Sequence, residues 1–235
     1  MEVHHHHKHE QGSGWKESLK EFFMLFLAVL CGFFAEMQVH NSIEHKQERE
    51  YIHSIQEDIS SDIRQMDRLL ADWSRAEKGL DTLIGLLSGE AIKTDSREAY
   101  RLWTNYIGFE DFSYDDRTIQ QLKNAGALRL IEEKEVANQI MRYDQAIRKF
   151  QLQVNVMTTE VLSQQYYFRL FDFVQLKKST NEPVPLTAAG KLLLTEAVGE
   201  RAFYQLSFRT MLELLKGARL SAQKTLDTIQ KEYKD

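Results

Sequence analysis

One uninterrupted apolar run near the N-terminus constrains this chain more than any other feature. The run covers Phe22 to Ala35, reads FFMLFLAVLCGFFA and contains no charged residue. Fourteen helical residues rise about 21 Å, which is less than the roughly 30 Å of hydrocarbon in a bilayer. Apolar residues on both sides extend the run from Leu19 to Val39, which is long enough to cross. The sequence therefore predicts a transmembrane anchor over residues 15–41.

Three features of the flanks fit this anchor. Lys20 can extend its amine to the headgroups, Trp15 lies where interfacial aromatic residues are common, and Glu36 falls near the opposite headgroup level. The side chains predicted to form the anchor are Trp15, Leu19, Phe22, Phe23, Leu25, Phe26, Leu27, Val29, Leu30, Phe33 and Phe34.

Three other interpretations of the run stay open. A cleavable signal peptide needs a small-residue exit, and Phe33 to Glu36 reads FFAE, which is a poor cleavage site. A lipoprotein signal would use Cys31, but the bulky Leu30 precedes it. A buried core helix would normally keep a polar face, which this run lacks.

The charges beside the run predict an orientation. Lys8, Lys16 and Lys20 precede it, whereas Lys46 and Arg49 follow it. Because positive flanks tend to stay inside, the N-terminus is predicted to be cytoplasmic. The anchor would then lie in a bacterial inner membrane, with the C-terminal domain in the periplasm.

Composition indicates an all-α chain that does not bind nucleic acid. The 235 residues include only 2 prolines and 11 glycines, and strong helix formers are abundant. The net charge is −5, and the basic residues are scattered among acids instead of forming a patch.

Apolar residues recur at spacings of three, four and seven after the anchor. They predict a helix that runs to about Leu87 and ends at Ser88-Gly89, with the seam Ile52, Ile55, Ile59, Met66, Leu69, Trp73, Leu80, Leu83 and Leu87. Residues 90–131 are predicted to be broken, with a helix from Asp95 to about Tyr106, a turn over Gly108–Ser113, and a short helix capped by Asp115 or Asp116 and closed at Gly126.

Two further long helices are predicted. One has the seam Val136, Ile140, Tyr143, Ile147, Phe150, Val154, Met157, Val161, Phe168 and Phe171. A loop over 177–185 follows, and Thr187 caps the last helix. The predicted architecture is a disordered tail (1–14), the anchor (15–41) and a bundle domain (42–235), in which the transmembrane helix continues into an elongated antiparallel helical bundle.

Two groups of residues are candidates for metal or ion chemistry. The imidazoles of the tail could hold Zn²⁺, Ni²⁺ or Cu²⁺, or could have no role, and they are His4, His5, His6, His7 and His9. Glu36 and His40 lie four residues apart on one helix face, with Glu44 one turn further. This spacing suits metal ligands or a proton path, or an ordinary wetted membrane boundary.

No motif indicates an enzyme or a cofactor. The acids Glu110, Asp111, Asp115 and Asp116 lack the spacing of an EF-hand and are better explained as helix caps and a solvated loop. Glycine-rich phosphate loops, CxxC pairs, HExxH and GxSxG are absent from the sequence.

Three segments carry a resemblance to a known family. LKEFFMLFLAVLCGFFAE (Leu19–Glu36), EREYIHSIQEDISSD (Glu48–Asp62) and DDRTIQQLKNAGALRLIEEKEVANQIMRYD (Asp115–Asp144) resemble uncharacterised single-pass membrane proteins of Bacteroidota with a His-rich N-terminus. The resemblance covers residues 1 to about 145, and the remainder only in pattern. It implies a native His-rich start and an inner-membrane anchor with an envelope-facing helical domain, and it supplies no activity or catalytic residue.

The sequence thus predicts a non-enzymatic envelope protein without a cofactor. Its expected partners are the lipid bilayer and either further copies of itself or a larger membrane complex. The alternative is an oligomeric ion path or metal sensor that uses Glu36 and His40.

Overall fold

Helices form almost all of the protein that the structure describes. The computed structural model describes residues 14–105, 112–162, 166–178 and 182–234, and these ranges contain no strand. The predicted all-α class is confirmed. The helices are α1 (Gly14–Ser88), α2 (Arg97–Asn105), α3 (Arg117–Asn124), α4 (Lys134–Leu162), α5 (Tyr167–Leu170), α6 (Phe173–Lys178), α7 (Ala188–Leu192) and α8 (Leu194–Glu232), with 3₁₀ turns at Ala91–Lys93 and Ala127–Leu130.

Contacts divide the chain into two units, with the boundary after Glu50. The described part of the first unit is the N-terminal part of α1. The second unit begins at Tyr51 and contains the remainder of α1 and every other helix.

The core of the second unit begins with the seam of α1. All nine predicted seam residues, from Ile52 to Leu87, are buried, with exposed fractions of 4% or less. The predicted end of this helix at Ser88 is also confirmed. Regular three-four spacing therefore placed these side chains correctly, because it keeps one narrow stripe of an α-helix facing its neighbours.

Contacts along α1 fix the directions of the other long helices. Arg219 Nε donates to Asp67 Oδ1 at 2.9 Å and Arg209 Nε donates to Glu77 Oε1 at 2.7 Å, so α8 runs antiparallel to α1.

The contacts of α4 run in the opposite order along the chain. Tyr143 Oη donates to Asp62 Oδ2 at 2.6 Å, and the rings of Trp73 and Phe150 lie 5.9 Å apart. These pairs make α4 parallel to α1. The broken segment between them therefore reverses the chain direction once before α4 begins.

The broken segment largely matches its prediction. Asp95 Oδ1 accepts a hydrogen bond from the Arg97 amide at 3.2 Å at the start of α2. Gly126 follows α3 with φ +63°, a left-handed conformation that glycine adopts without strain. Asp116 occupies the N-cap position of α3, but its side chain makes no capping bond there. Residues 106–111, which include most of the predicted turn, lie outside the described residues.

The prediction of one helix from Val136 to Phe171 is wrong at its C-terminal end. α4 ends at Leu162, and the short helix α5 ends at Leu170. Phe168 is 73% exposed instead of lying in the seam, whereas Phe171 is buried. The amide of Thr187 donates to the Leu170 carbonyl at 3.1 Å, so this carbonyl bonds a distant segment.

The last predicted helix is interrupted. Thr187 caps α7 as expected, because its Oγ1 accepts from the Gly190 amide at 2.8 Å. α7 then ends at Leu192 and α8 starts at Leu194, so the prediction of one continuous helix is wrong. A Cβ on Gly190 would lie 2.6 Å from the Leu170 carbonyl oxygen, which shows how closely α7 packs on α5.

Candidate membrane span and polar sites

The N-terminal part of α1 exposes apolar side chains on every face. No residue in its most apolar stretch is buried, and Phe22, Leu25 and Val29 are each at least 60% exposed. Leu30 is partly exposed. The other predicted anchor residues are exposed, and they are Trp15, Leu19, Phe23, Phe26, Leu27, Phe33 and Phe34.

Exposure on all faces separates this segment from an amphipathic helix, which hides its apolar stripe and leaves polar residues in water. Within the described residues, α1 is the one helix that is long and apolar enough to cross a membrane. Cys31, the single cysteine, lies exposed on the same segment.

The predicted polar site lies just beyond the apolar run. Glu36 and His40 are both exposed. His40 Nε2 lies 3.3 Å from Glu44 Oε1, one helical turn further along α1. Among the described residues, His40 is thus paired with Glu44 and not with Glu36. The candidate metal ligands of the tail, His4 to His9, lie outside the described residues.

Two of the four clustered acids, Asp115 and Asp116, are described, and both accept hydrogen bonds from neighbouring side chains. Asp115 Oδ1 accepts from Arg117 Nε at 3.0 Å, and Asp116 Oδ2 accepts from Gln120 Nε2 at 3.0 Å. Asp116 Oδ2 also accepts from Arg148 at 3.2 Å. Glu110 and Asp111 lie outside the described residues.

A buried carboxylate that the sequence pattern did not single out lies on α1, facing α4 and the segment just before α3. Asp62 is fully buried and accepts hydrogen bonds from Tyr143 Oη at 2.6 Å and from the Asp115 amide at 3.2 Å. Burial raises the pKa of Asp62 to about 6, and the nearby Asp115 and Asp58 carboxylates act in the same direction.

A second buried carboxylate, Asp144 on α4, has the opposite surroundings. It accepts hydrogen bonds from Tyr114 Oη at 3.0 Å and Arg148 Nε at 3.0 Å, and also from Lys123 Nζ. Burial alone would raise the pKa of Asp144, but the hydrogen bonds from Lys123, Arg148 and Tyr114 outweigh it and hold the pKa below its ordinary value.

Two tyrosines connect these carboxylates. The rings of Tyr114 and Tyr143 meet edge to face with centroids 5.9 Å apart, and each hydroxyl donates to one carboxylate. Burial raises the pKa of both tyrosines, so both remain donors. The network therefore contains one carboxylate that cations keep ionised, Asp144, and one whose burial favours the protonated form, Asp62.

A buried cation lies at the start of α8. The Arg201 side chain is 2% exposed, its guanidinium carbon lies 4.5 Å from the Trp103 ring centre and 4.7 Å from that of Tyr204, and Nη2 donates to Glu200 at 2.9 Å. Burial lowers the pKa of Arg201, although Glu200 opposes this effect. Stacking between two rings offsets part of the cost of burying a guanidinium.

A signal for both buried charges was present in the sequence. Asp62 falls between Ile59 and Met66 at three-four spacing, so it occupies a core position of the α1 seam. Arg201 occupies the equivalent kind of position on α8, four residues after Ala197. Charged residues at core positions predict paired or proton-binding groups, although the pattern does not identify their partners.

No family model, curated protein or solved structure matches this chain.

Proposed function

We propose that this protein is a non-enzymatic, membrane-anchored envelope protein whose helical bundle acts as a scaffold or accessory subunit. The observation that carries the proposal is the all-round exposure of the apolar segment of α1. In water such a surface would have to be covered by protein or would cause aggregation. The hydrocarbon of a bilayer, in contrast, can surround a helix that has no polar face.

The proposal extends to location and assembly. The lysines before the span favour a cytoplasmic N-terminus in a bacterial inner membrane and a periplasmic bundle. This orientation agrees with the resemblance of three segments to single-pass membrane proteins of Bacteroidota. The buried titratable groups bond to one another inside the bundle, which supports a structural role, with further copies or a membrane complex as partners.

Membrane extraction tests the anchor. The full chain should stay with bacterial membranes in alkaline carbonate, whereas Leu27→Arg should be released, because an arginine at the centre of a span costs about 3 kcal/mol. Leu220→Arg is the matched control, since Leu220 is 70% exposed on α8. Release of the unaltered chain would show that protein, not lipid, covers the apolar segment.

Cysteine labelling tests the orientation. In a Cys31→Ser background, Lys224→Cys on the exposed face of α8 should react with a membrane-impermeant maleimide in spheroplasts. Lys16→Cys should react only after lysis. The reverse pattern would place the bundle in the cytoplasm.

Cross-linking in native membranes followed by mass photometry tests assembly. A scaffold or accessory subunit should give a reproducible oligomer or a reproducible neighbour. A strictly monomeric protein without such a neighbour would contradict the scaffold role.

A second candidate function rests on the row formed by the exposed Glu36 and His40 and the partly exposed Glu44, in which His40 and Glu44 are 3.3 Å apart. In an oligomer such a row could form an ion path or a metal sensor. Glu36→Gln with His40→Ala should then reduce liposome ion flux or zinc binding. His53→Ala with Glu57→Gln is the matched control, because this pair has the same spacing outside the apolar segment. Unchanged flux and zinc binding would remove this candidate.

A further inference from the structure

A second exposed apolar surface lies on the three short helices between α4 and α8. We define the α5–α7 patch by one exposed apolar residue on each of α5, α6 and α7, together with the exposed cations of these helices. Its residues are Phe168, Val174, Leu192, Arg169, Lys177, Lys178 and Lys191.

The apolar residues of the patch are unusually exposed. Leu192 is 82% exposed and Phe168 is 73% exposed, the two highest values among large hydrophobic side chains in the described residues, above those of the apolar segment of α1. Val174 is 61% exposed. Large exposed apolar side chains on neighbouring helices commonly mark an interaction surface.

Backbone contacts hold the patch together. The Leu170 carbonyl accepts from the Thr187 amide at 3.1 Å, and Gly190 packs against the backbone of Leu170, so α5 and α7 lie side by side. The ring of Phe168 lies 5.9 Å from that of Phe173, the first residue of α6. α5 therefore lies beside both α6 and α7, so neighbouring helices carry the exposed residues of the patch.

The charge of the patch is opposite to that of the whole chain. α5, α6 and α7 carry four cations and no acid, although the chain has a net charge of −5. The carboxylate between α5 and α6, Asp172, accepts hydrogen bonds from the amides of Val174 and Gln175 at 3.1 and 3.0 Å. Within the described residues, none of the four cations lies in an ion pair.

We propose that the α5–α7 patch binds the surface of an anionic lipid bilayer. Apolar side chains can enter the boundary between headgroups and acyl chains while lysines and an arginine contact anionic headgroups. A second copy fits poorly, because pairing two such patches would bring like charges together. The proposal goes beyond the anchoring role of α1, since it uses different residues and requires no insertion of a span.

Vesicle flotation with the full chain tests this proposal. The chain is first placed in phosphatidylcholine nanodiscs, and co-elution with the discs is scored separately, so that a failure of the span is recognised independently. Phosphatidylcholine vesicles with or without phosphatidylglycerol are then added. We expect flotation with the anionic vesicles and its loss at high salt, where the Debye length falls to about 3 Å at 1 M.

Substitutions in the patch should weaken vesicle binding by factors that depend on the residue removed. Each of Lys177→Gln and Lys178→Gln should weaken binding about fivefold, because a lysine near an anionic surface contributes about that factor. Leu192→Ser should weaken it about tenfold through lost apolar burial. Leu220→Ser with Lys224→Gln is the matched control, since both residues are exposed on α8.

Three results would overturn the proposal. They are equal flotation with neutral and anionic vesicles, patch variants that bind like the control variant, and the absence of flotation with anionic vesicles. The last result would favour an acidic protein as the occupant of the patch. Circular dichroism of every variant verifies that the helices are retained.

Discussion

The buried Asp62 should make the stability of the bundle fall as pH rises through about 6. The pKa of this carboxyl is about 6 in the folded protein and 3.8 in its ordinary surroundings. The folded state therefore retains the proton over a pH range in which the unfolded chain has lost it. The stabilisation is fully present below pH 3.8 and is lost as pH rises through 6.

The magnitude follows from these two values. The complete difference is about 3 kcal/mol, since one pKa unit corresponds to about 1.4 kcal/mol. Between pH 5 and pH 7.5 the expected loss is about 1–2 kcal/mol, because most of the folded-state titration falls within that interval. Asp144 should not interfere, because its lowered pKa places its titration at more acidic pH.

Urea unfolding of the full chain in detergent measures this effect. A Trp15→Phe background leaves Trp73 and Trp103, both buried in the second unit, as fluorescent probes. For an m-value of about 3 kcal/mol/M, the urea midpoint should fall by about 0.5 M from pH 5 to pH 7.5.

Asp62→Asn is the control for the pH profile. It removes the titration, while any packing cost stays the same at both pH values. Its urea midpoint should therefore change much less over this interval than that of the parent chain. Parallel profiles for the parent chain and the Asp62→Asn variant, or a parent chain that becomes more stable from pH 5 to pH 7.5, would refute the reasoning.

Three further predictions concern packing and buried charge. Gly190→Ala should destabilise the bundle by about 2 kcal/mol in urea unfolding, because its Cβ would lie 2.6 Å from the Leu170 carbonyl oxygen. Gly217→Ala has open space around its Cβ and should stabilise by about 0.5–1 kcal/mol, so equal effects of the two would contradict this account. Asp144→Ala should cost about 2 kcal/mol at pH 7, and this cost should shrink as pH falls below 3.8 towards the lowered pKa of Asp144, where protonation removes the charge pairing. A cost independent of pH would argue against it. Arg201→Met should lower the melting temperature less than Arg201→Ala, since Met fills the space between the rings without a buried charge. The opposite order in a thermal melt would show that packing between the rings is not what this side chain contributes.

Regular helical spacing was sufficient to predict much of this fold. It identified the apolar segment, the nine buried residues of the α1 seam, the end of α1 at Ser88 and the left-handed Gly126. All of these depend on local periodicity or on one residue's backbone preferences.

The errors arose where distant segments determine the structure. The break after Leu170 is bonded to Thr187, and α7 packs against it through Gly190, neither of which a local pattern contains. The Asp62–Tyr143 pair joins residues 81 positions apart, so a carboxylate in the seam could be noticed but its partner could not.

The return of α8 along α1 imposes an order on biosynthesis. Asp67 meets Arg219 across 152 residues of chain, so a ribosome that adds about 5–20 residues per second needs roughly 8–30 s between the two. The apolar segment leaves the ribosome before either residue. During this interval the seam of α1 has no α8 to cover it, and the nascent protein depends on early membrane targeting or on chaperones to remain soluble.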